Sequence, residues 1–282
     1  MSVKKAMVIG AGQMGGGIAQ VMAAADIETY LNDINLQIVN SRLKFINKLL
    51  DKDIAKGRMD DLQKKETMAR LIPSDSLEDA KDCDIVIEAI VENMEIKSNT
   101  FRKLDEVCKP DCILATNTSS LPITEIAAVT KRPEKGIGMH FMNPVPVMKL
   151  VEIIRGIATS DETYEAIKAL TLKLNKTPVE VRDVPGFVSN RVLQMMINEA
   201  IYCLYEGVAS VEDIDTVMKL GMNHPMGPLQ LADFIGLDTV LAIMEVMYEG
   251  YADCKYRPCP LLRQYVKAGW LGKKAGRGFY TY

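Results

Sequence analysis

The sequence predicts a doubly wound α/β sheet followed by an all-α C-terminal domain. Three observations carry that prediction. A short apolar run, a glycine loop and a helical pattern follow one another between Lys4 and Ala25. Further short apolar runs then alternate with helical periodicity as far as Val181, and beyond Asp183-Val184-Pro185-Gly186 only helical spacing remains. Alternating strands and helices imply a parallel sheet covered on both faces, the arrangement of a Rossmann-type domain.

The first element is Lys4-Lys5-Ala6-Met7-Val8-Ile9, a short buried strand. Gly10-Ala11-Gly12-Gln13-Met14-Gly15 follows at once, and Ile18, Val21, Met22 and Ala25 recur at helical spacing. A second run, Ile27 to Leu31, ends in Asn32-Asp33, which sets a carboxylate about 20 residues downstream of the glycine loop, as in dinucleotide-binding units. Gly10 suits the tight turn, Gly12 admits a pyrophosphate close to the backbone, and Gly15 lets helix pack on strand. The helix N-terminus then faces the phosphates. Cofactor contacts are therefore expected from Gly10, Gly12, Gln13, Met14, Gly15 and Asp33. Asp33 can accept both ribose hydroxyls and would repel a 2′-phosphate, which favours NAD over NADP. The run Gly15-Gly16-Gly17 is richer in glycine than the fold requires and should cost the helix about 1 kcal/mol per extra glycine.

Leu36 to Lys56 has helical spacing and carries Arg42, Lys44, Lys48, Lys52 and Lys56 on its polar side. Such a run is ordinarily a solvated face, the second reading being contact with a phosphorylated ligand. Cys83 to Ala89 and Cys112 to Thr116 read as buried strands separated by a helix through Phe101, Leu104 and Val107. Lys135 to Met139 and Leu150 to Ile154 are the next strands, followed by a helix from Asp161 to Leu174 and a strand from Thr177 to Val181. The turn chemistry at 183–186 divides the chain into a nucleotide-binding domain, 1–184, and a helical domain, 185–282. Its helices are expected at Phe187 to Tyr205, Val211 to Leu220, Leu237 to Tyr248 and Pro260 to Ala268. The first carries Val188, Val192, Leu193, Met195, Met196, Ile197, Ile201 and Leu204, an apolar band too wide for a one-sided surface helix, so a subunit interface and a homodimer or higher homo-oligomer are expected.

Composition narrows the class. With 48% apolar and 25% charged residues the chain is an ordinary globular protein, and a net charge of −3 gives no reason to expect nucleic acid as a partner. No apolar run approaches membrane-spanning length, and Met1-Ser2-Val3-Lys4 leads straight into the first strand, so a cytoplasmic protein without a leader is expected. The six cysteines lack paired spacing and read as small buried apolar residues. With two histidines and no ligand cluster, no metal is expected.

In open parallel sheets, ligands bind at the carboxyl edge of the strands. Three strand ends here carry polar groups: Glu88, Glu92 and Lys97; Asn117-Thr118-Ser119-Ser120; and, after the strand at 135–139, His140-Phe141-Met142-Asn143-Pro144. His140 is the natural proton-transfer group. Glu152 stands in an otherwise apolar strand, where a carboxylate should not be left unpaired. The two can meet across adjacent strands, the carboxylate fixing the tautomer and orienting the ring. Asn190, near the start of the first helix of the second domain, is able to reach an interdomain cleft, though the residues alone favour a plain polar residue at a helix start. His224, in a Gly/Pro-rich connector, reads as structural.

These motifs resemble the L-3-hydroxyacyl-CoA dehydrogenase family, and within it the short bacterial members that act on 3-hydroxybutyryl-CoA. The resemblance runs through Gly10 to Gly15, Asn117 to Ser120, His140 to Pro144, Asp183 to Arg191, His224 to Leu229 and Gly276 to Tyr280. It implies NAD-dependent oxidation of (S)-3-hydroxybutyryl-CoA to acetoacetyl-CoA and the reverse, with a helical domain that supplies dimer contacts. It also implies His140 as catalytic base, Glu152 as its partner, and Ser119 and Asn190 on the substrate oxygen or acyl group. Glu92, Lys97, Asn117, Ser119, Asn143 and Lys274 fall where the family contacts NAD, and Lys56 falls near its coenzyme A phosphates. Two other readings keep the scaffold: a dehydrogenase of free hydroxy acids or sugar acids, and a non-catalytic NAD-binding protein.

Overall fold

The computed structural model describes residues 3–282; Met1 and Ser2, the start of the expected leaderless N-terminus, lie outside the described residues. The chain forms two compact units, the first ending at Asp183 and the second spanning Val184–Tyr282.

The first unit is built on one eight-stranded sheet. Its strands are β1 (Lys5–Ile9), β2 (Glu28–Asn32), β3 (Leu71–Ser74), β4 (Ile85–Glu88), β5 (Ile113–Thr116), β6 (Gly136–Phe141), β7 (Leu150–Arg155) and β8 (Thr177–Arg182), in the order β3-β2-β1-β4-β5-β6-β7-β8. The chain winds outward in both directions from β1 and β4, which makes the ends of those two neighbours the topological switch point. Period-two alternation divides the core cleanly. Ala6 and Val8, Ile85 and Ile87, and Ile113 and Ala115 bury one face, under helices α1 (Gln13–Ala24), α2 (Leu36–Ala55) and α6 (Asp161–Lys173). Met7 and Ile9, Val86 and Leu114 bury the other, under α4 (Met94–Val107) and α5 (Ile123–Ala128).

The expected all-parallel sheet needs one correction. β6 and β7 are antiparallel, whereas all other neighbours are parallel. The eight residues between these strands are too few for a helical crossover, so the chain turns back on itself. β6 also runs farther than expected: His140 and Phe141 lie in the strand, held by pairing with Glu152 and Val151, and do not begin a loop. Helix α3 (Asp61–Ala69) and strand β3 were not expected. Only Thr67 of α3 is buried, and β3 is a short edge strand containing Pro73, so neither carries a strong periodic signal. A capping box between Asp60 and Gln63 starts α3.

The second unit is helical: α7 (Ser189–Tyr205), α8 (Val211–Thr216), α9 (Pro228–Ile235), α10 (Leu237–Tyr251) and α11 (Pro260–Lys267). Phe187, expected inside α7, instead has a positive φ of 50° and packs buried ahead of it. Val217–Gly221 forms a wider π turn after α8. Helix α9, missed in the sequence, has Pro at its first position, and a distant carboxylate caps it. Buried Asp215 accepts the Leu229 and Gln230 amides at 2.8 and 2.9 Å, so no local capping residue announces the start. Among the described residues no helix is long and apolar enough to cross a membrane.

Candidate active site

The glycine loop leaves β1 with Gly10 at φ 100°, where an added Cβ would stand 2.5 Å from the Ala89 carbonyl oxygen. A Cβ on Gly15 would fall 1.8 Å from the Gly10 oxygen, so any side chain there would push α1 off the strand. Gly16 and Gly17 are not surplus, contrary to the expectation from composition. A Cβ on Gly16 would meet Arg42 Cδ at 2.4 Å, and one on Gly17 would meet Val145 at 2.9 Å. Arg42 cannot easily yield, because its Nε donates to the Ala11 carbonyl at 2.9 Å. It is therefore a brace of the glycine loop rather than part of a basic solvated face. Lys44, Lys48, Lys52 and Lys56 are exposed along the same helix.

At the switch point lies a cavity of about 760 Å³. Gly10, Gly12, Gln13, Met14 and Asp33 line it on one side, with the apolar Ile34, Ile90 and Ile96 among its other walls. No side chain caps the N-terminus of α1. A Cβ on Gly12 would meet nothing within 4 Å, so the loop backbone is open to a close approach. Asp33 accepts the Ala11 amide on one oxygen and the Ile34 amide on the other, both at 2.7 Å, which fixes the carboxylate at the cavity rim. Open loop, uncapped helix, fixed carboxylate and apolar slot fit a dinucleotide with phosphates at the helix and ribose at Asp33.

Next along the carboxyl edge is the end of β4. Glu92 gathers the 117–120 loop: one of its oxygens accepts the Thr118 hydroxyl at 2.6 Å, the Ser119 amide at 2.9 Å, and the amide and hydroxyl of Ser120. Asn117, at the end of β5, accepts the Phe141 amide at 2.9 Å and so ties β5 to the end of β6. Lys97 is buried, its ammonium 2.7 Å from Glu88 and 3.5 Å from Glu92. Asn143 accepts from the Gln13 amide group at 2.9 Å, which links the segment after β6 to the glycine helix. Beneath that segment, buried Lys176 donates to the Val145 and Met148 carbonyls at 2.6 and 2.7 Å, and burial pushes its pKa down.

His140 and Glu152 are direct register partners across β6 and β7. Both are buried, and Nδ1 of His140 lies 2.8 Å from Oε2 of Glu152. Ile137, Met139 and Phe141 point into the core under α1 and α6, so alternation turns His140 to the opposite face. An ionised carboxylate offers only acceptor oxygens, so opposite Glu152 the ring donates through Nδ1–H.

In the second unit Asn190 is the second residue of α7, and Lys274 sits in a short turn paired with Asp238 at 2.6 Å. His224 lies in the connector before α9, its amide on the Met218 carbonyl. All six cysteines are free thiols; Cys83, Cys108, Cys112 and Cys259 are buried, with burial pushing the Cys83 thiol up to about 12, whereas Cys203 is half-buried and Cys254 exposed, contrary to the expectation for all six. Among the described residues no cluster could hold a metal ion.

Comparison with known proteins now decides the family. Residues 5–184 match the NAD-binding domain of 3-hydroxyacyl-CoA dehydrogenase, and residues 186–282 match its C-terminal domain. The chain belongs to the 3-hydroxyacyl-CoA dehydrogenase family. It is 63% identical over 282 residues to a probable 3-hydroxybutyryl-CoA dehydrogenase of Bacillus subtilis, covering 100% of this chain and 98% of the relative. It is 55% identical over 280 residues to a 3-hydroxybutyryl-CoA dehydrogenase of Bradyrhizobium diazoefficiens, covering 99% and 96%. The crystal structure of an (S)-3-hydroxybutyryl-CoA dehydrogenase from Ralstonia eutropha superposes with a TM-score of 0.98 at 49% identity, covering 100% and 99%. The dehydrogenase is thus an oxidoreductase whose first unit binds NAD.

Proposed function

We propose that this dehydrogenase interconverts (S)-3-hydroxybutyryl-CoA and acetoacetyl-CoA, with His140 as the acid and base of the reaction. The observation that carries the reading is the 2.8 Å contact between His140 Nδ1 and Glu152, on the same sheet edge as the glycine loop and Asp33. With Nδ1–H donating to Glu152, the lone pair of the neutral ring resides on Nε2. That nitrogen is placed to take the proton of the 3-hydroxyl, and NAD held at the glycine loop and Asp33 would supply the acceptor for the hydride leaving C3. Glu152 then faces the imidazolium that forms and stabilises it. In reduction the steps reverse: protonated His140 polarises the 3-keto oxygen and donates its proton. Oriented proton transfer of this kind is worth about two to four powers of ten in rate.

Ser119 and Asn190 are assigned to the substrate oxygen and acyl group. Glu92, Asn117, Asn143 and Lys274 are assigned to the coenzyme side, and exposed Lys56 to the coenzyme A phosphates. The partly exposed apolar side of α7, with Val192 at 66% exposure, supports self-association as a homodimer, and a cytoplasmic location is part of the same proposal.

The test is the fall in NADH absorbance on adding acetoacetyl-CoA, run beside NADPH and beside free acetoacetate. Rapid oxidation of NADH by the thioester alone is the expected result. Activity only with the free acid would move the assignment to a hydroxy-acid or sugar-acid dehydrogenase, and none with either cofactor to a non-catalytic NAD-binding protein.

A further inference from the structure

The acid-base mechanism leaves one buried carboxylate of the carboxyl edge without a task. Glu88, the last residue of β4, has a side chain with no solvent exposure, and its partner Lys97 is 1% exposed. Oε1 of Glu88 accepts the Lys97 ammonium and the Ile90 amide, each at 2.7 Å. Its Oε2 accepts the Thr116 hydroxyl at 2.7 Å. An ion pair this deeply buried is a poor source of stability, since desolvating both charges offsets most of their attraction. Its contacts point to a different task. Ile90 lines the cavity at the switch point, and Thr116 immediately precedes Asn117. Lys97, held by Glu88, also reaches Glu92 Oε2 at 3.5 Å, and the other oxygen of Glu92 grips the amides of Ser119 and Ser120. One carboxylate is therefore connected to the cavity wall, to the end of β5 and, through a single ammonium and Glu92, to Thr118, Ser119 and Ser120.

We propose that Glu88 is a positioning residue of the cofactor site: it fixes the Lys97 ammonium, which sets Glu92 and through it the Ser119 and Ser120 backbone. The inference rests on the NAD site proposed above, but its first readout does not require a bound coenzyme.

The experiment compares the wild type with Glu88→Gln, which keeps shape and removes charge. In the ligand-free protein, amide hydrogen exchange at Ser119 and Ser120 should quicken about tenfold while Val86 and Ile87 inside β4 stay protected. In turnover with acetoacetyl-CoA, KM for NADH should rise on the order of ten- to a hundredfold, the usual cost of a displaced positioning group. The kcat should remain within about threefold, because the proton-transfer pair is untouched. Thr116→Val, which removes only the donor to Oε2, should shift exchange and KM in the same direction by less, and it keeps the test alive if Glu88→Gln does not fold. Native exchange at Ser119 and Ser120 in either folded variant overturns the proposal, as does uniform loss of protection across the sheet, which would mark Glu88 as a fold residue only. Failure of the wild type to bind NADH would overturn the cofactor reading, and with it this role, even with local exchange as expected.

Discussion

Two charge systems with buried members share the carboxyl edge of the sheet, and they are built differently. His140 and Glu152 face each other as register partners of two antiparallel strands, linked through one ring nitrogen. Glu88, Lys97 and Glu92 join a strand end, a helix and a loop, with one carboxylate alone accepting three donors. Imidazole is the side chain that changes charge near neutral pH, whereas carboxylates and ammonium groups ordinarily stay ionised there. The division proposed here is that the imidazole–carboxylate pair serves the substrate, while the carboxylate–ammonium system holds the geometry around it.

Breaking the network of Glu88, Lys97 and Glu92 should cost the most stability. Lys97→Met leaves Glu88 as a buried, unneutralised charge, and urea unfolding should show a loss of about 3–5 kcal/mol. A loss below about 1 kcal/mol would mean that Glu88 simply takes up a proton in the variant. Disturbing the other system should spare the fold and slow the reaction. Glu152→Gln keeps a hydrogen-bonding group against the ring but no longer favours the imidazolium, so kcat should fall about ten- to a hundredfold with KM for NADH little changed. A variant with native kcat would separate Glu152 from catalysis. The smallest effect is expected at the opposite, amino edge of β4, where Asp84 pairs with Lys109 at 2.7 Å in a partly exposed position. Burial alone would raise the Asp84 pKa, but hydrogen bonds from Lys109 and from the Lys4 and Lys5 amides outweigh it and hold the carboxyl below its usual value. A depressed carboxyl stabilises the fold above the ordinary carboxylate range and stops doing so as pH falls through and below it. Asp84→Asn should therefore cost about 1 kcal/mol at neutral pH and nothing in strong acid, as read from stability curves across pH.

The contact between His140 and Glu152 was legible in the sequence, and the network of Glu88, Lys97 and Glu92 was not. His140 and Glu152 announce themselves by type: a single imidazole after an apolar run, and a carboxylate where an apolar residue belongs. The glycine loop and Asp33 are likewise local, since fingerprint, helix and acid follow one another along the chain. Long-range packing is what stayed hidden. Arg42 looked like one cation of a basic helix face, yet it is hydrogen-bonded to the Ala11 carbonyl and fills the space left by Gly16. Gly17 looked superfluous because its neighbour, Val145, lies more than a hundred residues away. Helix α9 escaped notice since Asp215 caps it from another helix, and the antiparallel turn between β6 and β7 depends on a connection length that boundary errors obscured. Glu88 read as one of several polar groups at a strand end; only its three donors show that it is a hub.

Whether His140 moves the proton is read from single-turnover reduction of acetoacetyl-CoA by the His140→Gln protein at saturating NADH. NADH binding, measured by fluorescence titration on the same sample, should be native, with hydride transfer slowed by about two to four powers of ten. Hydride transfer at close to the wild-type rate in a folded, NADH-binding His140→Gln protein would contradict it.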